Sequence, residues 1–188
     1  WINHFGDPGY RYHTLMTRLW GVLSLRLADS DVLPYDFASY ASEIRKYIGE
    51  LDAANHVSGH VDLQALRQSI DAFEKSAQDL NATIAKALAS GKIDAAAADK
   101  LNHSLMEVER KWCNPSGIPG RPWFKHTIYA ARYTYAHLEL PGVTEAAETG
   151  NWKVAAQQAQ IIERELQTNT ELLRAASRDF ASSSQLSH

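Results

Sequence analysis

Apolar residues recur every three or four positions along most of the chain, which is the period of an amphipathic helix. The longest stripe predicts a helix from about residue 62 to residue 89, ended by Gly91. Its members are Leu63, Leu66, Ile70, Phe73, Ala77, Leu80, Ile84 and Leu88. The same period predicts further helices over residues 8–28, 36–51, 94–114 and 152–180.

Three aspartates stand where predicted helices begin. Asp7 precedes Pro8, a residue suited to the first helical position, and Asp36 and Asp94 precede the second and fourth predicted helices. A carboxylate at such a position accepts hydrogen bonds from free backbone N–H groups. The helix over residues 8–28 is apolar over a wide arc, which predicts packing on several sides.

Residues 115–143 interrupt the helical pattern. Residues 114–122 are dense in turn formers, and residues 127–130 and 132–135 predict extended pieces. A long connection inside a helical domain is usually functional or packs on another domain. The chain is therefore predicted to be all-α, an up-and-down bundle of about four to five helices with one long irregular connection and room there for a small hairpin.

Composition narrows the function classes. The chain has 188 residues, 45% of them hydrophobic and 22% charged, which is typical of a globular domain. A net charge of -3 without a basic stripe argues against nucleic acid as a partner. No apolar run is long enough to span a bilayer, so we expect no membrane contact from this chain. A start at Trp1 without a signal peptide or initiator Met suggests a piece of a longer protein.

Motif searches find no catalytic constellation. The His-Glu-x-x-His, phosphate-loop and nucleophile-elbow patterns are absent from the sequence. His56 and His60 are spaced for one helix face, but Gly59 favours a solvated loop over metal binding. His103 and Glu107 predict a surface pair, and His126 a partly buried, hydrogen-bonded histidine.

Two further features, the cysteine content and the glycosylation sequons, bear on the cellular compartment of the protein. Cys113 is the single cysteine, which excludes an internal disulfide and predicts a buried structural thiol. The sequons at Asn81 and Asn102 are compatible with a secreted or lumenal glycoprotein.

Several phrases resemble the glutamate carboxypeptidase II family of zinc peptidases. The most specific is residues 114–126, Asn-Pro-Ser-Gly-Ile-Pro-Gly-Arg-Pro-Trp-Phe-Lys-His, which runs into Ile128-Tyr-Ala130. The others are Phe5-Gly-Asp-Pro8 with Tyr12-His13, Leu25-Arg-Leu-Ala-Asp-Ser30, Leu33-Pro-Tyr-Asp36, Tyr40, Arg45-Lys-Tyr47, Glu109-Arg110, Leu140-Pro-Gly142 and Trp152. The similarity covers nearly the whole chain.

The resemblance implies three segments. Residues 1–30 would be the C-terminal helix of a truncated peptidase domain, residues 31–181 a transferrin-receptor-like helical dimerisation domain, and residues 182–188 a flexible tail. Helix 8–28 would then normally pack on that peptidase domain. Interface candidates are the third and fourth helices and the aromatic segment 123–135. The implied partners are a second copy of the chain, the peptidase domain of the same chain and, in the parent, a peptide substrate.

The resemblance also implies the chemistry of the full-length parent. Family members are type II membrane proteins whose peptidase domain lies on the lumenal or extracellular side, in the secretory pathway, a vacuole or at the cell surface. Two zinc ions bridged by a water, with a glutamate as general base, perform the hydrolysis. All zinc ligands and the catalytic glutamate fall outside this chain, and His4 and His13 do not replace them.

One substrate-binding element of the family falls inside the chain. A Lys-Tyr pair on a hairpin holds the substrate's terminal glutamate. The tyrosine matches Tyr135, whereas the lysine position holds Thr134, which cannot pair with a carboxylate. Arg132 is a nearby candidate to compensate. The departure predicts a parent peptidase with an altered or relaxed preference for the C-terminal residue.

Two alternatives stay open. The parent could be a non-catalytic receptor, as the transferrin receptor is, although the phrase at 114–122 fits the peptidase branch better. An unrelated helical scaffold is the third reading. The zinc-ligand set upstream of this chain would separate the first two.

Overall fold

The computed structural model describes residues 1–91, 93–132 and 136–185, and for residues 184 and 185 only the backbone. The chain divides into two compact units, residues 1–34 and the residues from Tyr35 onward. The division does not test the prediction that residues 1–30 end a peptidase domain.

The first unit contains helix α1, Arg11–Ala28, preceded by a π-helical turn at Ile2–Gly6 and a 3₁₀ turn at Pro8–Tyr10. Asp7 does cap α1, since its carboxylate accepts the backbone N–H of Tyr12 at 3.1 Å and of His13 at 2.9 Å. The helix starts later than predicted because Gly9 and Tyr10 adopt left-handed φ angles of 72° and 54°.

Helix α1 buries none of its residues within the described chain. The wide apolar arc of the helix is exposed, and its packing on several sides stays a prediction. The exposed large apolar side chains of the helix are Tyr12, Leu15, Met16, Leu19, Trp20, Val22, Leu23, Leu25 and Leu27.

The second unit is a helical bundle, which confirms the predicted fold class. Its helices are α2 Phe37–Asn55, α3 Gln64–Ser90, α4 Ala95–Arg110, α5 Pro141–Glu148 and α6 Trp152–Gln185. Helix α6 packs against α3, α4 and α5, and α3 also packs against α2. The predicted caps hold, since Asp36 accepts from the Ser39 N–H and Asp94 from the Ala97 N–H.

An aromatic cluster joins α2, α3 and the end of α4. The indole of Trp112 is fully buried, meets Phe73 edge-on at 5.7 Å between ring centroids and stacks with Tyr40 at 6.2 Å. Phe37 adds a tilted contact to Phe73 at 6.5 Å. Such geometries stabilise beyond the area that the rings bury.

The connection after α4 carries a two-stranded antiparallel hairpin. Strand β1 is Tyr129–Ala131, strand β2 is His137–Glu139, and Ala130 pairs with Leu138. The first predicted extended piece, residues 127–130, overlaps β1 at Tyr129 and Ala130, and strand β2 follows the second piece, of which residues 133–135 lie outside the described residues. Helix α5 is not among the predicted helices, because the sequence Leu140-Pro-Gly142 is interpreted as a turn. Pro141 instead occupies the first position of the helix, where proline is favoured.

The end of the chain differs from prediction in one respect. Helix α6 continues to Gln185, beyond the predicted end near residue 180. Within this extension the hydroxyls of serines 182 and 183 donate to the backbone carbonyls of Arg178 and Asp179. The flexibility of the tail stays a prediction.

Candidate functional site: the hairpin and its support

The substrate-binding residues predicted from the resemblance, Thr134 and Tyr135, lie outside the described residues. The structure describes the base of the hairpin that carries them. There the Arg132 N–H donates to the Ala136 carbonyl at 3.0 Å, which continues the pairing of Ala131 with His137. Backbone hydrogen bonds therefore pair the two sides of the hairpin base as far as Arg132 and Ala136.

Two arginine–glutamate ion pairs hold this hairpin base on α5. Arg121 reaches Glu145 at 2.5 Å from Nη2 to Oε1 and donates from Nη1 to the Ala131 carbonyl at 2.9 Å. Arg132 pairs with Glu148, which lies three residues after Glu145 on the same helix. The side chain of Arg121 is 22% exposed, so this pair is better shielded from solvent than a surface pair.

The pairing with Glu148 bears on the specificity hypothesis. Arg132 is a sequence candidate to compensate for the lysine that Thr134 replaces. In the structure its guanidinium binds Glu148 and so holds the hairpin to α5. An arginine used in this way has less charge to offer a substrate carboxylate.

A compact turn over residues 114–122 positions Arg121. The Asn114 side chain donates to the Gly117 carbonyl at 3.1 Å, and the Ile118 N–H donates to the Phe124 carbonyl at 3.0 Å. Gly117 has φ 71°, and a Cβ there would lie under 3 Å from the backbone of Pro122. Only glycine combines that φ with so close an approach of backbone.

An open cavity of about 770 Å³ lies between this turn and α6. Its wall includes Lys111 and Cys113 from the end of α4, and Arg164 and Glu165 from α6. Cys113 is exposed, which corrects the prediction of a buried thiol. The physical reason is that the neighbouring Trp112 takes the core position. Partial burial, with the charges of Glu109 and Glu165, raises the pKa of the Cys113 thiol, so its reactive thiolate is disfavoured.

His126 links the end of α4 to the hairpin, in agreement with its prediction as a hydrogen-bonded, partly buried histidine. Its Nδ1 accepts from the Tyr129 N–H at 3.1 Å, so Nε2 carries the hydrogen that faces Glu109 Oε1, also at 3.1 Å. Glu109 additionally accepts from the Tyr40 hydroxyl at 2.9 Å, which brings α2 into the same network.

The other histidine predictions have mixed outcomes. His56 ends α2, and His60 follows the 3₁₀ turn Val57–Gly59, so the pair lies in a loop as predicted. His60 stacks on Trp152, with ring centroids 4.0 Å apart. His103 bonds to the Asp99 carbonyl and Glu107 to Arg110, so the structure shows other partners than the predicted pair.

The described residues do not fit a zinc site. Across the described ranges, no three His, Cys, Asp or Glu side chains gather where they could hold a metal ion. His13 Nδ1 lies 2.5 Å from Asp7 Oδ2, which makes a pair and not a site. Hydrogen bonds from His13 and Tyr12 outweigh the opposing effect of burial and lower the pKa of Asp7 to about 2.

The two sequons lie on helices. Asn81 is in α3, where its amide donates to Asp36 at 3.4 Å, and Asn102 is in α4. In the part of the chain that the structure describes, no helix is apolar and long enough to cross a membrane.

Exposed apolar side chains of the second unit mark candidate contact surfaces. Trp123 is 73% exposed, and Tyr129, which stacks on His137, is 44% exposed. Leu88, near the end of α3, is 50% exposed. Aromatic side chains are enriched in protein interfaces.

A family model described as the transferrin receptor-like dimerisation domain matches residues 61–174. The chain belongs to this family. The matched range holds α3, α4, the hairpin, α5 and most of α6. Residues 1–60 precede it.

Curated relatives are similar over most of this chain. A probable glutamate carboxypeptidase of Arabidopsis thaliana, LAMP1, is 33% identical over 151 residues, 79% of this chain and 21% of its own. The aminopeptidase NAALADL1 of Rattus norvegicus is 28% identical over 78% of this chain and 20% of its own. An inactive zinc metalloprotease of Schizosaccharomyces pombe is 25% identical over 170 residues, which are 86% of this chain and 21% of that protein. The chain thus spans about a fifth of the length of these relatives.

Sequence reasoning misses the residues that support the hairpin. Arg121 stands out only as part of a turn-rich phrase, and Glu145 and Glu148 lie on the helix that was not predicted. Their spacing of three, after a proline suited to a helix start, is the available signal. Glu165 carries no sequence signal, because one glutamate in an amphipathic helix resembles any solvated residue.

Proposed function

We propose that this chain is the homodimerisation domain of a glutamate carboxypeptidase-like zinc exopeptidase and that it completes the substrate pocket of that enzyme. The observation that carries the proposal is the family match over residues 61–174, which covers most of the helical bundle. The names of the relatives support the peptidase assignment.

Dimerisation is expected to be isologous, so that one surface meets its own copy. The described surface offers Trp123 and Tyr129 beside the hairpin and Leu88 on α3 as apolar contact residues. All three lie in the segments that the sequence indicates for the interface. Truncation of a central aromatic side chain in an interface typically costs about 2 kcal/mol or more of binding.

The first prediction concerns the mass in solution. The full chain should behave as a particle of twice 21.0 kDa in light scattering across a concentration series. We expect a dimer dissociation constant about 30-fold higher or more in each of two variants. One is the double variant Trp123→Ala/Tyr129→Ala, and the other is Leu88→Ala. Trp1→Ala is the matched control, because Trp1 is equally exposed but lies in the other unit. A dimer that is unaffected by all the variants would contradict the proposed surface.

The completed enzyme would require segments beyond this chain. We place the two zinc ions and their ligands in a peptidase domain of the same polypeptide, against which the apolar side of α1 would pack. Large exposed apolar surfaces of this kind are usually covered by a partner. The family resemblance and the sequons at Asn81 and Asn102 support our proposal that this chain lies on the lumenal or extracellular side of a membrane-anchored parent, with these two residues as glycosylation candidates.

The second prediction concerns the substrate. With Thr134 in the position of the lysine and Arg132 held by Glu148, the full-length protein should not prefer Glu-ended over Leu-ended dipeptides. Thr134→Lys should raise kcat/KM for Glu-ended dipeptides about tenfold, because an ammonium group pairs with the side-chain carboxylate. Thr134→Met, of similar length without charge, is the control. A strong Glu preference in the unaltered protein would refute the idea.

A receptor-like parent without catalysis is the second candidate function. It is favoured by the relative from Schizosaccharomyces pombe that is named as an inactive zinc metalloprotease. Metal analysis of the purified full-length protein separates the two. Two zinc ions per chain together with dipeptide hydrolysis would support the peptidase, whereas a metal-free, inactive dimer would support the receptor.

A further inference from the structure

Glu165 is a half-buried carboxyl group on α6 that the proposed function does not use. Its Oε2 lies 2.5 Å from the Oγ1 of Thr127, a residue that is only 3% exposed. Thr127 lies in the connection two residues before strand β1, the first strand of the hairpin. This contact therefore joins α6, the longest helix of the bundle, to the segment that leads into the hairpin.

The surroundings of Glu165 lack a compensating charge. Within the described ranges, no Lys, Arg or His nitrogen comes within ion-pair distance of its carboxylate. The charged and titratable groups around the cavity are Lys111 and Cys113 from the end of α4 and Arg164 on α6 itself. Arg164 and Lys111 are solvent-exposed, so water screens their effect. A carboxylate that loses water without gaining a cation is destabilised relative to its neutral acid.

The hydrogen bonds of Thr127 are compatible with a protonated partner. Thr127 Oγ1 lies 3.0 Å from the Trp112 carbonyl as well as 2.5 Å from Glu165, and a hydroxyl carries one hydrogen. If the hydroxyl donates to the carbonyl, the hydrogen in the shorter contact must come from Glu165. A neutral Glu165 therefore lets both contacts be hydrogen bonds at once.

We propose that Glu165 is held as a neutral carboxylic acid and acts as a proton-dependent brace between α6 and the segment that leads into β1. At acidic pH the brace is intact. At alkaline pH the ionised carboxylate is better solvated by water than by its half-buried site, which weakens the contact. The inference does not depend on the proposed peptidase function.

The direction of the pH effect follows from linkage. Burial is the largest influence on Glu165 and raises its pKa from 4.5 to about 7. Between these two pH values the folded chain holds a proton that the unfolded chain has released. The contribution of Glu165 to stability is therefore complete below pH 4.5 and is lost as the pH rises through about 7.

The experiment compares the full chain with Glu165→Gln, which keeps the shape and a hydrogen-bond donor but cannot ionise. Chemical unfolding is measured from pH 5 to pH 8. The folded-to-unfolded ratio of the wild type, relative to that of the variant, should fall about 70-fold over this range. A relative ratio that stays constant within about twofold would overturn the proposal.

A second measurement does not depend on how well that variant folds. In carbon-13 NMR of glutamate-labelled protein, one side-chain carboxyl should titrate near neutrality, and Thr127→Val should displace its midpoint, because the Thr127 hydroxyl is the direct hydrogen-bond partner of the Glu165 carboxyl. Thr127→Ser, which retains the hydroxyl, should leave the midpoint in place. Titration of every glutamate carboxyl near its ordinary value would refute the brace.

Discussion

Gly117 occupies the turn over residues 114–122 with φ 71° and the backbone of Pro122 directly beside it. Two separate effects therefore oppose any side chain at this position. One is the left-handed conformation, which costs a non-glycine residue about 1–2 kcal/mol. The other is the clash of a Cβ with backbone that cannot move away without opening the turn that carries Arg121.

These effects can be separated by a matched pair of variants. Gly120 has φ 77° in the same turn, but no atom lies within 4 Å of the place that a Cβ would take there. Gly120→Ala should cost about 1 kcal/mol from conformation alone, and Gly117→Ala at least about 2 kcal/mol more from the clash. Denaturant unfolding of the two variants measures the difference. Equal losses would mean that the turn accommodates the methyl group by shifting.

Single residues also show where sequence reasoning succeeds and where it ends. Asp36 and Asp94 could be predicted as caps because capping depends on neighbours three residues away, which the sequence displays. The prediction for Cys113 is wrong, because the choice between two adjacent residues for one core position depends on the packing of α2 and α3. The environment of Glu165 depends on Thr127, which lies 38 positions earlier.

Helix α5 and the hairpin form one element through the Arg121–Glu145 and Arg132–Glu148 pairs. Arg121 bonds to Glu145 and to the Ala131 carbonyl from two nitrogens, and this fork geometry is specific to arginine. The pair is partly shielded, which strengthens it relative to an exposed pair.

A double-mutant cycle tests this strength. Arg121→Ala and Glu145→Ala should show a coupling energy of about 1–2 kcal/mol in unfolding measurements. The exposed i,i+4 pair Lys75–Asp79 on α3 is the matched reference and should show no more than about 0.5 kcal/mol. Similar coupling energies in the two cycles would show that the hairpin base is as solvated as an open helix surface.

The long helices could be predicted because each repeats the same apolar spacing over many turns. The hairpin and α5 could not be placed, since β1 and β2 have three residues each and α5 has eight. Elements this short owe their stability to tertiary contacts such as the pairing of Ala130 with Leu138. The candidate site was predicted only through resemblance, and its residues Thr134 and Tyr135 lie outside the described ranges.

At the scale of the whole molecule, the two units differ in how much of their apolar surface they bury. The unit that begins at Tyr35 buries its aromatic and aliphatic stripes in one core, in which Trp112 and Phe73 are fully enclosed. The unit over residues 1–34 exposes most of its large apolar side chains along α1. The family match lies entirely within the former unit. The family match therefore concerns the bundle, and the exposed apolar side of helix α1 has to be explained separately.

The packing of α3 on α6 has a consequence for the synthesis of this protein. Helix α3 ends at Ser90, but α6, on which it packs, begins only at Trp152. A ribosome that adds about 5–20 residues each second needs roughly 5 to 20 seconds to make the intervening chain and then α6 itself. During that interval one apolar side of α3 has only α2 beside it. Until α6 emerges from the ribosome, the nascent polypeptide therefore displays an apolar surface on α3 of the kind that chaperones bind.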